Sequence, residues 1–389
     1  MAAQNVSSCF DALVIGAGIQ GSFTAYHLAK NNMRTLLLEQ FLLPHSRGSS
    51  HGQTRIIRKT YDKNFYTQMM IECYQLWKQL ETEANVTLYR QTGLIVMAVE
   101  GNLDFQARVR TLVQNQVPME SLTSEDFSKR FPAVNLPLGS SAIIDKTAGV
   151  LYADRALKTV QDLFQRFGGM IRDGEKVVDI QPGSLVSVTT TAGMYRAKNL
   201  VITAGPWANK LLNPMRLQLP LKTLRIAVPY WKEKVPGTYG ISKSFPCFLV
   251  LNQARHHIYG LPSNEYPGLM KICYHHGTEA EPDERDVTSQ THFHDIKVLA
   301  DFVSEYLPGL DPTPAIVESC MYTLTPDEDF ILDRHPVHSN IIIGAGFSGH
   351  GFKLAPVVGK VLCELSMGKR TSYSLSPFKI SRFQLKSVL

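Results

Sequence analysis

Apolar residues gather in short runs near the start, the middle and the end of the chain, with mixed, aromatic-rich stretches between. Ala12–Ile15 is an apolar run of strand length, 22–31 reads as a helix, and Thr35–Leu38 as a second buried strand, so 11–40 predict a strand–helix–strand unit. Helical spacing puts Phe65, Met69, Cys73, Leu76 and Leu80 on one face of a helix at 65–84. Strands are predicted at 93–99, 174–180 and 185–190, and helices at 103–116, 124–130 and 154–167. Another apolar strand at 200–203 ends in the tight turn Gly205-Pro206-Trp207. From 221 to 275 the segments are strand-like and broken by proline, and 295–306 returns to helix. A last apolar strand near 341–343 leads into a glycine loop and a helix at 354–367. The polar, glycine-rich segment 44–58 predicts a loop.

Nucleotide-type elements thus lie at both ends and in the middle, which predicts an α/β chain of two discontinuous domains. A Rossmann-type domain takes 1–88, 150–222 and 325–389, and a mixed-sheet substrate domain takes 89–149 and 223–324. The length of 389 residues suits two domains, and 44% hydrophobic against 19% charged residues excludes a disordered chain, a coiled coil or a disulfide miniprotein. The net charge of +6 comes without a clustered basic tract, so nucleic acid is not an expected partner and a small anionic cofactor or substrate is. Six scattered cysteines with no Cys-x-x-Cys predict reduced thiols of an intracellular protein, and no metal site is expected. The charge-free stretches 12–29 and 335–352 are broken by glycines, which argues against a membrane span. No secretory signal is expected, because the first apolar run leads directly into the glycine loop.

That loop, Gly16-Ala17-Gly18-Ile19-Gln20-Gly21, follows a strand and opens a helix. Gly16 allows the tight turn, Gly18 lets backbone approach a pyrophosphate, and Gly21 permits close helix–strand packing. Unpaired N–H groups at the helix start favour the phosphates, and Glu39 at the end of the second strand suits ribose hydroxyls. These residues leave NAD and FAD both open. Gly344–Gly349 repeats the glycine pattern, but no second strand with a terminal acid follows its helix, so it is not a second dinucleotide site. A helix start lined by Gly344 and Gly346 and brought back to the first domain would aim its dipole at a flavin ring, which favours FAD.

Over residues 11–383 the chain resembles the monomeric sarcosine oxidase family of flavoproteins. The resemblance is carried by Gly16–Gly21 with Glu39, by 50–58, by Thr203–Trp207, by Lys271–His275, by Glu318–Thr323 and by Gly344–Lys353. It implies an FAD-binding Rossmann-type domain, with FAD held covalently through a thioether from Cys320 to the flavin 8α carbon. It also implies that Arg58 and Lys353 bind a substrate carboxylate and that Arg55 lies in the same shell near the flavin. His51 and Thr54 shape the flavin surroundings, Tyr259 and His275 line the substrate cavity, and Lys271 assists oxygen activation. Outside that context Cys320 reads as a packing cysteine, Arg55 and Arg58 as surface ion-pair residues, His275 beside His276 as ordinary strand histidines, and Lys271 as a solvated lysine.

The implied activity is flavin-dependent oxidation of a small secondary-amine amino acid (sarcosine, L-pipecolate or L-proline, which the sequence does not rank), with O2 as acceptor and hydrogen peroxide as product. The rivals are a flavin dehydrogenase feeding a carrier protein, a non-catalytic flavin- or nucleotide-binding redox sensor and an NAD-dependent dehydrogenase. The resemblance further implies a monomer imported into peroxisomes. The terminal Ser387-Val388-Leu389 departs from the Ser-Lys-Leu type of import signal, with Val388 in place of a basic residue.

Overall fold

A computed structural model of the chain describes residues 9–136, 139–251, 256–286 and 290–383; the terminal tripeptide 387–389 lies outside the described residues. Strand Phe10–Ile15 pairs in parallel with Thr35–Leu38 on one side and with Met194–Ile202 on the other. Met170–Arg172 and Ile341–Ala345 extend this parallel layer, and Ile331–Arg334 adds an antiparallel edge. The central strands are nearly all-apolar because helices cover them: Leu36, Leu37 and Leu38 are fully buried, as are Ile341–Ile343. Helix Ile19–Lys30 crosses helix Ala355–Ser366 closely, since a Cβ on Gly359 would lie 2.6 Å from Phe23 Cβ. The first and last motifs of the chain therefore sit side by side.

A second, nine-stranded mixed sheet takes its strands from 94–145 and 222–324. Its spine is Lys222–Glu233, paired along its length with the 15-residue strand Leu310–Leu324. Three short strands, Thr54–Ile57, Gly149–Tyr152 and Tyr89–Gln91, make a third sheet.

Several strands were not expected from the sequence, Tyr89–Gln91, Met119–Leu122, Ser140–Asp145 and Gly149–Tyr152 among them, and four others have readable physical reasons. Thr54–Ile57 closes the segment read as a loop, because its polar side chains line a cavity while its backbone pairs with Gly149–Tyr152. Met170–Arg172 is a three-residue strand, and Gly174, with φ +70°, turns the chain before the next strand starts at Val177. Leu310–Leu324 is hidden in the sequence by Pro312 and Pro314, which it tolerates because among the described residues it pairs only with Lys222–Glu233, as an edge strand. Ile331–Arg334 is too short for its alternation to be read. No helix among the described residues is long and apolar enough to cross a membrane.

Candidate active site

The tight turn after Phe10–Ile15 depends on Gly16, whose φ of +98° and approach to Thr203 (2.6 Å from an added Cβ to Thr203 O) leave no room for a side chain. Gly21 packs the helix onto the strand end, where an added Cβ would meet Gly16 O at 1.9 Å. Gly18 caps helix Ile19–Lys30 without a side chain, and Ser50 Oγ accepts the Ile19 N–H at 3.0 Å. Glu39 is buried at the end of its strand, accepting from Ala17 N at 2.9 Å and Phe41 N at 3.1 Å, and its carboxylate keeps lone pairs for a further donor.

Gly16, Gly18 and Glu39 open onto a cavity of about 1240 Å³ that reaches into the second sheet. Of the residues singled out from sequence, Gly16, Gly18, Glu39, His51, Thr54, Arg55, Arg58, Tyr259, Lys271, His275, Cys320 and Lys353 all line it. Gly21, Gly344 and Gly346 do not. Gly344 lies within strand Ile341–Ala345 against Leu362 and Thr203, and Gly346 turns the chain at φ +65° beside Thr325. The residues that follow, Phe347–Lys353, form the wall, tied to the first glycine loop by Gln20 Nε2 donating to Gly351 O at 2.9 Å.

On the cavity wall two basic side chains share one ring. Arg58 Cζ lies 4.3 Å and Lys353 Nζ 5.9 Å from the centre of the buried Tyr61 ring. Arg58 makes no hydrogen bond or ion pair among the described residues, and its Nη1 is buried and unsatisfied. Lys353 donates to His350 O at 3.1 Å, and Trp77 Nε1 holds its carbonyl at 2.9 Å. Burial first, then the Arg58 and Arg55 charges, pull the Lys353 amine well below the ordinary lysine range. With no carboxylate in ion-pair contact with either side chain among the described residues, this part of the cavity suits an anion.

Arg55 has a different part. Its guanidinium donates to the carbonyls of Thr54 (2.8 Å), Ser49 (3.1 Å) and His51 (2.6 Å), clamping the 49–55 segment against the cavity. Within that segment the His51 ring lies 2.8 Å from Gly48 O and 3.0 Å from Ser319 O, and burial, then Arg55 and Arg285, push it down to about 4.

Part of the remaining wall is aromatic. Tyr259 and Tyr322 share a 3.0 Å hydroxyl hydrogen bond, and Tyr322 stacks obliquely on His275 at 5.1 Å. Burial, then the neighbouring His257, Arg58 and Lys353, push His275 down to about 3, so it is a neutral imidazole. Gly349, at φ +75°, makes space for both rings, since an added Cβ would be 2.7 Å from each. Cys320 stands two residues before Tyr322 on strand Leu310–Leu324, half-buried on the cavity wall, with its Sγ 3.9 Å from Ser49 O. Lys271 is buried rather than solvated, and contacts Glu265 and Thr54.

Among the wall residues not singled out from the sequence are Tyr61, Tyr322, His350 and Tyr230. Tyr322 was within reach, because residues two apart on a strand share a face and Cys320 was already marked. Tyr61 and His350 carry no signal of their own. Among the described residues no cluster of three or more His, Cys, Asp or Glu side chains is placed to hold a metal.

The glycine cradle, the acid beneath it and the cavity with its basic pair define a dinucleotide-dependent redox enzyme, and the comparisons specify it: residues 11–365 match the FAD dependent oxidoreductase family, to which the chain belongs. The peroxisomal sarcosine oxidases of Homo sapiens and Mus musculus are 59% and 58% identical to it, over 98% and 100% of this chain and 98% and 99% of their own. A monomeric sarcosine oxidase of Bacillus sp. is 35% identical over 99% of both. Among solved structures, NikD, described as an unusual amino acid oxidase essential for nikkomycin biosynthesis, shares the fold with a TM-score of 0.83 at 24% identity, covering 96% of this chain and 98% of that one.

Proposed function

We propose that the chain oxidises small amino acids bearing a secondary amine, with sarcosine, L-pipecolate and L-proline as the candidates, using FAD and passing the electrons to O2. The observation that carries this reading is the pair Arg58 and Lys353, without an ion-pair partner among the described residues and lining one cavity with Tyr259, Tyr322 and the neutral His275. The names of the mammalian and bacterial relatives agree with it.

The residues present fit FAD. Gly16 and Gly18 leave backbone space for the pyrophosphate, Glu39 offers acceptors to ribose hydroxyls, and the cavity continues past His51 and Thr54 to Cys320. In this reading Cys320 is the covalent attachment point, the 1–88, 150–222 and 325–389 segments hold the cofactor, and 89–149 with 223–324 supply the substrate side. When bound, FAD would supply the redox chemistry that takes the carbon–nitrogen bond of the amine to an imine. Arg58 grips the carboxylate through its planar fork, and Lys353 adds a point charge that a bound carboxylate restores. Tyr259, Tyr322 and the neutral His275 pack the N-methyl group or ring and exclude water. No side-chain base is required when the amine enters deprotonated. Water then hydrolyses an acyclic imine, so sarcosine yields glycine and formaldehyde, whereas a cyclic imine is released intact. Lys271 holds a positive charge beside the place where O2 takes two electrons and two protons and leaves as hydrogen peroxide. A peroxisomal location and a monomeric state follow from the relatives' names as part of the same proposal.

The test is hydrogen peroxide formation by purified holoenzyme in air across a panel of N-methyl and cyclic amino acids, with flavin bleaching followed anaerobically. Turnover of secondary-amine substrates with one peroxide per substrate is expected. Bleaching without peroxide would move the enzyme to a carrier-linked dehydrogenase, and no bleaching by any member of the panel would overturn the reading.

A further inference from the structure

Lys271 does not face the cavity as an isolated charge. Its ammonium contacts the Glu265 carboxylate and lies 3.2 Å from Thr54 Oγ1, and the Thr54 hydroxyl also donates to Glu265. Tyr230 OH lies 2.7 Å from Glu265 Oε2 and 3.2 Å from Glu318 Oε2, and Tyr266 OH donates to Glu318 Oε1 at 2.5 Å. The two charged side chains are 8% and 4% exposed. Thr54, Tyr230, Lys271 and Glu318 are on the cavity wall and Glu265 is not. The carboxylate thus reaches the lysine from behind, out of contact with anything bound in the cavity.

We infer that Glu265 is a positioning residue for the oxygen half of the reaction, holding the Lys271 ammonium at the cavity wall and supplying the buried counter-charge that lets it stay there as a cation. This rests on the reading of Lys271 as the oxygen-side charge. An ammonium buried without a partner is costly and gives up its proton more readily than a paired one. The other groups facing Lys271 do not replace Glu265. Tyr230 is a neutral phenol with its ring 5.4 Å away, Cys273 is a thiol pushed up to about 12 by burial, and Glu318 reaches the network through Tyr230.

The network also binds Glu265 into the fold. Burial pushes its carboxyl up, but the Lys271 charge and the hydrogen bonds from Lys271, Thr54 and Tyr230 outweigh this and hold it below the ordinary glutamate value. A depressed carboxyl contributes stability that is present above its unfolded value and is lost as pH falls through the folded one.

The experiment takes holoenzyme of wild type, Glu265→Gln, Glu265→Asp and Lys271→Met through three measurements. These are anaerobic reduction by substrate, reoxidation by O2 from pH 7 to pH 10, and thermal unfolding from neutral to acid pH. In Glu265→Gln, reoxidation is expected to fall by about tenfold across that range as the unpaired lysine loses its charge, against less than about twofold in wild type, with reduction within about twofold of wild type throughout. Glu265→Asp keeps the flat profile at a lower rate, and the melting gap between wild type and Glu265→Gln narrows towards acid pH. A purely structural role would move the melting curves and leave the reoxidation profile flat, which would overturn the inference. Should Glu265→Gln fail to fold, Glu265→Asp decides, because unchanged reoxidation there also overturns it. Lys271→Met separates the two readings. Fast reoxidation in that variant sinks the role of Lys271 itself, whereas slow reoxidation combined with a flat Glu265→Gln profile sinks Glu265 alone.

Discussion

Lys353 is buried within the influence of Arg58 and Arg55, and none of the three forms an ion pair among the described residues. Burial is the first cause of its lowered proton affinity, and the neighbouring cations are the second. A bound carboxylate opposes both by adding a negative charge, so the complex holds a proton more tightly than the free protein. Binding must therefore take up a proton, and affinity must fall as pH rises between the free and bound values. For an inhibitor with a carboxylate and no amine, the expected weakening is up to about tenfold per pH unit in that window. Calorimetry across pH in buffers of different ionisation heat reads the proton directly, and release of a proton, or none exchanged at any pH, would contradict the assignment. Arg55 answers to another test. Its three carbonyl contacts hold the segment that carries His51 and Thr54, so Arg55→Lys should lower the melting temperature by an amount matching about 1–3 kcal/mol.

Two glycine-bearing turns connect elements to the site and separate cofactor retention from substrate fit. Gly16→Ala places a Cβ in left-handed backbone 2.6 Å from Thr203 O. A cost of about 1–3 kcal/mol is expected there, seen as a lower flavin content after purification. Gly349→Ala instead drives a methyl group into His275 and Tyr322, so flavin content stays near normal while KM rises several-fold. An unchanged KM would remove those rings from the substrate wall. The same scale shows why some elements were legible and others were not. Gly16–Gly21 and Glu39 could be read because a strand, a turn, a helix and a terminal acid are all local in sequence. Strand Leu310–Leu324 could not, because its prolines speak against a strand until its single-sided pairing is known. Thr54–Ile57 was masked by composition, since its polar residues serve the cavity.

At the scale of the whole molecule, the chain crosses between two large sheets so that residues near 16, 58, 271, 320 and 353 share one cavity. That convergence was legible through family resemblance and not through spacing, which alone left Arg55 and Arg58 as surface ion-pair residues. Glu265 was beyond reach for a related reason: its partners Thr54, Tyr230 and Lys271 come from three different strands, and nothing local marks it. The placement of Cys320 on the cavity wall predicts that acid-precipitated wild-type protein keeps its yellow colour, whereas Cys320→Ser releases FAD to the supernatant.

The most direct measurement is the dissociation constant of an amine-free carboxylate for the holoenzyme, read from the flavin absorption spectrum, in wild type and in Lys353→Met, which keeps bulk and removes the charge. The account predicts affinity weakened by about tenfold or more, equivalent to at least about 1.4 kcal/mol, with flavin content unchanged. Equal affinity in the two proteins would contradict it.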